Sequence, residues 1–74
     1  MQYTVTPKGC GVFMLEVINQ HNDVLARYTI IDHSTDQGLL YMIQRTEDHT
    51  KQVWTDSYIH AIHLCKEDYK HRHR

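Results

Sequence analysis

The last fifteen residues, HAIHLCKEDYKHRHR (60–74), hold four of the seven histidines, one of the two cysteines and half of the Lys and Arg. At 100° per residue, a helix places His60, His63 and Glu67 on one side. Two imidazoles and a carboxylate at i, i+3 and i+7 are chemically adequate for zinc or another divalent ion. The spacing is not HExxH, however, and a closed structural zinc site needs a fourth ligand that no neighbour supplies. The face is therefore expected to be solvated, with no dedicated metal and only weak adventitious binding that also involves His71 and His73. Lys70, Arg72 and Arg74 offer phosphate contacts of the salt-dependent, sequence-blind kind. No aromatic residue alternates with them beyond Tyr69, so the stacking platform of single-strand binders is missing. Cations at the negative end of a helix dipole account for the same residues.

Catalysis has less support. Cys10 lies in a glycine-rich segment, and Cys65 is two positions from His63, on a different helical face. A nucleophilic thiol needs a base in hydrogen-bond reach, and neither cysteine has a local signature for one. His33 and His49 each stand beside an aspartate in expected turns. Phosphate-binding loop, GxSxG and dinucleotide motifs are all missing. No enzyme and no cofactor are expected.

The elements that would position these residues are mostly strands. VFMLEVIN (12–19) sets Phe13, Leu15 and Val17 against Met14 and Glu16 in strict alternation. VLARYTII (24–31) alternates again, and the polar QHND between them, with Asn22 and Asp23 suited to a left-handed turn, predicts an antiparallel hairpin. QYTVT reads as a short edge strand that Pro7, Gly9 and Gly11 convert into a loop. The stretch 35–47 has two readings. One is a helix capped at Ser34, giving a β-β-β-α-α order. The other, which is adopted, is a loop at DHSTDQG, a strand at LLYMIQR, a turn at TEDHTK and a short strand at QVWT. In that strand Leu39, Tyr41 and Ile43 oppose Leu40 and Met42. Thr55, Asp56 and Ser57 are all N-cap types, opening a C-terminal helix whose stripe of Tyr58, Ala61, Ile62, Cys65 and Tyr69, with Ile59 at its edge, packs on the sheet.

The fold expected is α+β: a small antiparallel sheet of three to five strands with the C-terminal helix across one face. Residues 1–69 form a single domain and 70–74 a flexible basic tail. A chain of 74 residues buries only about 60–65% of its unfolded surface and is marginally stable alone, so a partner chain is an expected aid. Residues 1–65 carry four basic and seven acidic side chains, and 66–74 four basic and two acidic. An acidic body repels phosphate backbones, which disfavours a dedicated nucleic-acid binder. Two isolated cysteines make no disulfide scaffold, no apolar run reaches the ~20 residues of a bilayer span, and MQYTVT has no signal-peptide pattern. A cytoplasmic setting follows.

What remains is protein binding. Val12, Met14 and Ile18 oppose Phe13, Leu15 and Val17, so strands are apolar on both faces, while one helix covers one face only. The second face is expected to meet another chain, a copy or a target, through Met14, Leu40, Tyr41, Met42 and Trp54. A small domain of this kind, without chemistry of its own, suits an accessory protein of a phage or mobile element, such as an inhibitor of host defence.

Overall fold

The computed structural model describes residues 1–46 and 51–72. The two alternating runs fold as expected into β2 (Val12–Ile18) and β3 (Val24–Asp32), joined by a polar turn. Asn19 organises that turn, its Oδ1 accepting hydrogen bonds from the amides of His21 at 2.8 Å and Asp23 at 3.0 Å. Asn22 takes the left-handed conformation, with φ 64°. Ahead of them, β1 (Gln2–Gly9) pairs antiparallel with β2.

Here the expected loop at 7–11 is corrected. The strand continues through Pro7, which stands opposite Phe13, and the register slips only between Pro7 and Gly9. Proline is tolerated because β1 is an edge strand, where a missing N–H costs no ladder bond. The reversal is then made by Cys10 and Gly11 alone, at φ 54° and 76°, the backbone that two-residue hairpins favour. A Cβ at position 11 would also lie 3.2 Å from the Asp32 Cβ.

The described part of the stretch, 35–46, holds no helix but a loop and a strand shorter than LLYMIQR: β4 (Tyr41–Arg45) pairs with β3, and β5 (Gln52–Thr55) pairs with β4. The side chain that would have capped a helix is used otherwise. Ser34 Oγ accepts from the Leu40 amide at 3.0 Å, and the tip closes by a bridge between Thr35 and Gly38. Most of the expected turn at TEDHTK falls on residues 47–50, outside the described residues. The result is a five-stranded antiparallel meander, β1-β2-β3-β4-β5, followed by α1 (Tyr58–Arg72) packed on one face.

Register assigns the faces, since directly opposed residues point to the same side. Facing α1 are the rows Pro7, Phe13, Ile30, Ile43, Val53, then Val5, Leu15, Tyr28, Arg45, then Tyr3, Val17, Ala26. Leu15, Val17, Tyr28 and Ile30 are fully buried with Ala61 and Cys65 of the helix. Ser57 caps α1, its Oγ accepting from the His60 amide at 3.2 Å. Tyr58 then wedges edge-on against Phe13 and Tyr41, with centroids 5.1 and 5.8 Å apart. The helix extends to Arg72, past the expected end at Tyr69, with Lys70 3.8 Å from Glu67 and Arg72 3.7 Å from Asp68. Ile59, expected at the edge of the packing stripe, is 79% exposed. It lies on the helix side shared with Lys66, whose ammonium sits 4.9 Å over the Tyr3 ring.

Candidate functional site

The face opposite α1 carries one apolar row, and the rest of it is largely polar. Val12, Ile31, Met42 and Trp54 oppose one another across four strands. The next row is Thr6, Met14, Thr29, Gln44, Gln52, and beyond it lie Thr4, Glu16 and Arg27. Arg27 Nε donates to Glu16 Oε2 at 2.9 Å, so that end of the face is self-satisfied. On the sheet, apolar surface is exposed at two places, the β4–β5 end and the turn end of β2–β3, where Ile18 pairs with Val24 and both Val24 and Leu25 are 41% exposed; only the first carries an aromatic. Met42, between Ile31 and Trp54, is only 5% exposed, while Trp54 is 47% and Leu40 39% exposed. The His33 ring leans on Trp54 at 5.3 Å between centroids. His33 and Leu40 continue the ladder as a pair, with the His33 amide bonded to the Leu40 carbonyl at 2.8 Å.

Of the residues expected at the interface, Leu40, Met42, Met14 and Trp54 thus share this face, and Tyr41 leaves it. Tyr41 opposes Asp32 and Thr55 and stacks on Tyr58, on the helix side. Alternation within the strand placed Tyr41 and Met42 on opposite sides, so the two could not belong to one surface.

The helix-side candidates for a metal do not converge. His60 is drawn to the end of β5, its Nδ1 3.2 Å from Thr55 Oγ1, and its ring centre stands 6.2 Å from that of His63. His63 Nε2 is 3.9 Å from Glu67 Oε1. Among the described residues no three His, Cys, Asp or Glu side chains are placed to hold an ion. Of the tail cations proposed for phosphate, Lys70 and Arg72 are engaged by Glu67 and Asp68, and Arg74 lies outside the described residues.

Sequence reasoning missed the polar network at the far end of α1. Asp68 receives the Tyr28 hydroxyl at 2.7 Å and two Arg45 hydrogen bonds at 3.1 and 3.0 Å. Partial burial opposes ionisation of Asp68, but the hydrogen bonds from Arg45 and Tyr28 and the charges of Arg45 and Arg72 outweigh it. The carboxyl is held below its ordinary range. Burial, then the hydrogen bond and charge of Asp68, push the Tyr28 hydroxyl up. The available signal was parity: Arg45 falls in the same alternation as Tyr41 and Ile43, and a cation on the core side needs an anion.

Beside this network the packing between α1 and the sheet is incomplete. A groove of about 430 Å³ opens there over Ile43, Val53, Leu64 and Cys65, with Arg45, Lys51, Glu67 and His71 around it. Burial, then the Asp68 charge, raise the Cys65 thiol to about 12. Cys10 is exposed in its turn. Because the thiolate is the nucleophile, one cysteine of the native chain is expected to react rapidly with a disulfide reagent at mildly alkaline pH, forming a mixed disulfide and expelling one equivalent of the reagent's thiolate, and two in denaturant. Two rapid equivalents without denaturant would contradict the packing of Cys65.

No helix among the described residues is long and apolar enough to cross a membrane. Comparison of the chain with protein-family models, with curated proteins and with solved structures found no match.

Proposed function

We propose that the chain is a non-enzymatic protein-binding module that acts by seating another protein chain at the β4–β5 end of its sheet, blocking or adapting what it binds. The observation that carries this reading is Trp54, a large aromatic about half exposed at the end of an apolar row, with no element among the described residues laid over it. Aromatic residues on a largely preformed surface are typical anchors of protein interfaces. The cysteines, both free, suit a reducing compartment such as the cytoplasm. An accessory or inhibitory role of the kind found in mobile elements agrees with a small domain whose main offering is a binding surface. Nucleic-acid binding is less supported, since residues 1–65 carry an excess of acidic side chains that repels phosphate, and the tail cations Lys70 and Arg72 lie beside carboxylates on their own helix.

The test is capture from the native cell with tagged chain. The bound protein is expected to persist when residues 70–74 are deleted, and to fall at least tenfold with Trp54→Asp or Leu40→Asp at unchanged circular dichroism. A charge introduced into an anchor site costs 2 kcal/mol or more, roughly a 30-fold loss. Capture that survives both aspartates but disappears with the tail, or with moderate salt, would replace this reading with the nucleic-acid one.

A further inference from the structure

The sheet has two edges, and they are built differently. On β1, proline and a lysine stand near the end of the strand, at Pro7 and Lys8, and its apolar residues Tyr3 and Val5 are turned toward α1 and partly buried in the core. Proline and lysine are the usual devices that keep a sheet edge from recruiting another strand. On β5 the sequence is Gln52, Val53, Trp54, Thr55, with no charge and no proline. Two of those four residues are large and apolar, Val53 at 48% and Trp54 at 47% exposure.

Val53 and Trp54 point to opposite faces. A partner lying on the open face covers Trp54 and leaves Val53 bare, and one lying against α1 does the reverse. Only a strand running alongside β5 covers both. It would also satisfy the outward backbone groups of the edge, which in a β-ladder otherwise depend on water. The groove adds a third feature. It opens beside Val53 over Ile43, Leu64 and Cys65, so an added strand would direct one side chain toward the groove and the next against Trp54. That alternation is the signature of strand addition.

We infer that β5 pairs antiparallel with β5 of a second copy of this chain, joining two five-stranded sheets into one. The inference rests on the reading that the β5 end is the contact surface, and it names the occupant. An uncharged strand can meet its own copy without like charges opposing one another. A two-fold axis normal to the sheet keeps both helices on the same side and makes the contact self-complementary, as in most homodimers. Side-chain parity then allows two registers. An axis at Val53 sets it against the partner's Val53 and Trp54 against the partner's Gln52. An axis at Trp54 sets the two indoles together and Val53 against the partner's Thr55. In both, each apolar side chain of the edge gains a neighbour on its own face.

The experiment is sedimentation equilibrium of the purified full chain from micromolar to millimolar concentration, with Val53→Lys, Trp54→Lys and Val53→Thr alongside and circular dichroism as the check on folding. The wild type is expected to move from monomer to dimer. Each lysine should weaken association at least tenfold, and the β-compatible Val53→Thr by less. In a Cys10→Ser background, oxidation should give covalent dimer from Val53→Cys or Trp54→Cys, whichever lies on the axis, and not from Gln2→Cys on the other edge. A monomer throughout the range, a dimer indifferent to both lysines, or cross-linking from Gln2→Cys alone would overturn the inference. A monomer that still captures a different protein through Trp54 would end the self-pairing and leave the proposed function standing. A monomer with no Trp54-dependent capture would end both.

Discussion

Tyr28→Ala is expected to lower the thermal unfolding midpoint by roughly 15–30 °C, the largest effect of any single substitution considered for this chain. Tyr28 stands in the middle of the helix-facing surface, opposite Leu15 on one side and Arg45 on the other, and is 1% exposed. Its ring fills the space between the sheet and α1, and its hydroxyl reaches Asp68 on the helix at 2.7 Å. Truncating a buried aromatic costs about 3–5 kcal/mol. A domain of this size holds a total stability of roughly 4–11 kcal/mol. Tyr28→Phe separates the two contributions, because it keeps the ring and removes one hydrogen bond to a charged acceptor, worth about 1.5–3 kcal/mol. Circular dichroism melts of the three proteins should fall in the order wild type, Phe, Ala. Equal melts for Phe and Ala would mean that the ring packs far less tightly than its burial indicates.

Asp68→Asn should be the next most damaging change, by about 2 kcal/mol at neutral pH. It removes the charge that accepts from both Arg45 and Tyr28 and that Arg72 approaches at 3.7 Å. The loss is pH-dependent with a definite sign. Because the carboxyl is held below its ordinary range in the folded chain, ionised Asp68 stabilises the fold fully above the ordinary value of about 4. That contribution drains away as the pH falls through the depressed folded value. Urea midpoints of wild type and Asp68→Asn should therefore lie well apart at neutral pH and converge in acid. A gap that stays constant would show that the asparagine acts through shape alone. Replacing all three groups together, Tyr28→Phe and Arg45→Met with Asp68→Leu, should recover most of the loss, since an apolar cluster leaves no buried polar group or charge without a partner.

Much of the architecture was legible because period-two alternation and turn chemistry act locally. The runs 12–19 and 24–31, the QHND turn, the strand at QVWT and the Ser57 cap all follow from neighbours a few positions apart. The failures have a common cause in contacts that are distant in sequence. Pro7 reads as a strand breaker until β1 is known to be an edge. Alternation separates Tyr41 from Met42, but which of them meets the helix depends on registers carried across three hairpins, with slips between Pro7 and Gly9 and between Val17 and Ile18. The Asp68 network joins residues 23 and 40 positions apart, beyond the reach of any local pattern. The site residues divide in the same way. Trp54 and Met42 share a face because the β4–β5 register sets them opposite each other. That Val53 is equally exposed, on the other side of the same edge, becomes visible only once β5 is known to be the last strand.

The strictly sequential strand order also bears on how the chain is made. Each strand pairs with the one synthesised just before it, so the hairpins can assemble in order as the chain emerges, at little loop-closure cost. The cover for the sheet comes last. Until residues 58–72 appear, Leu15, Val17, Tyr28 and Ile30 have a sheet beneath them and nothing above. During synthesis the nascent chain therefore displays as open surface the four core side chains that the finished protein buries. This is the interval in which it is most exposed to aggregation, and the arrival of a single helix, anchored by Tyr58 at one end and Asp68 at the other, closes it.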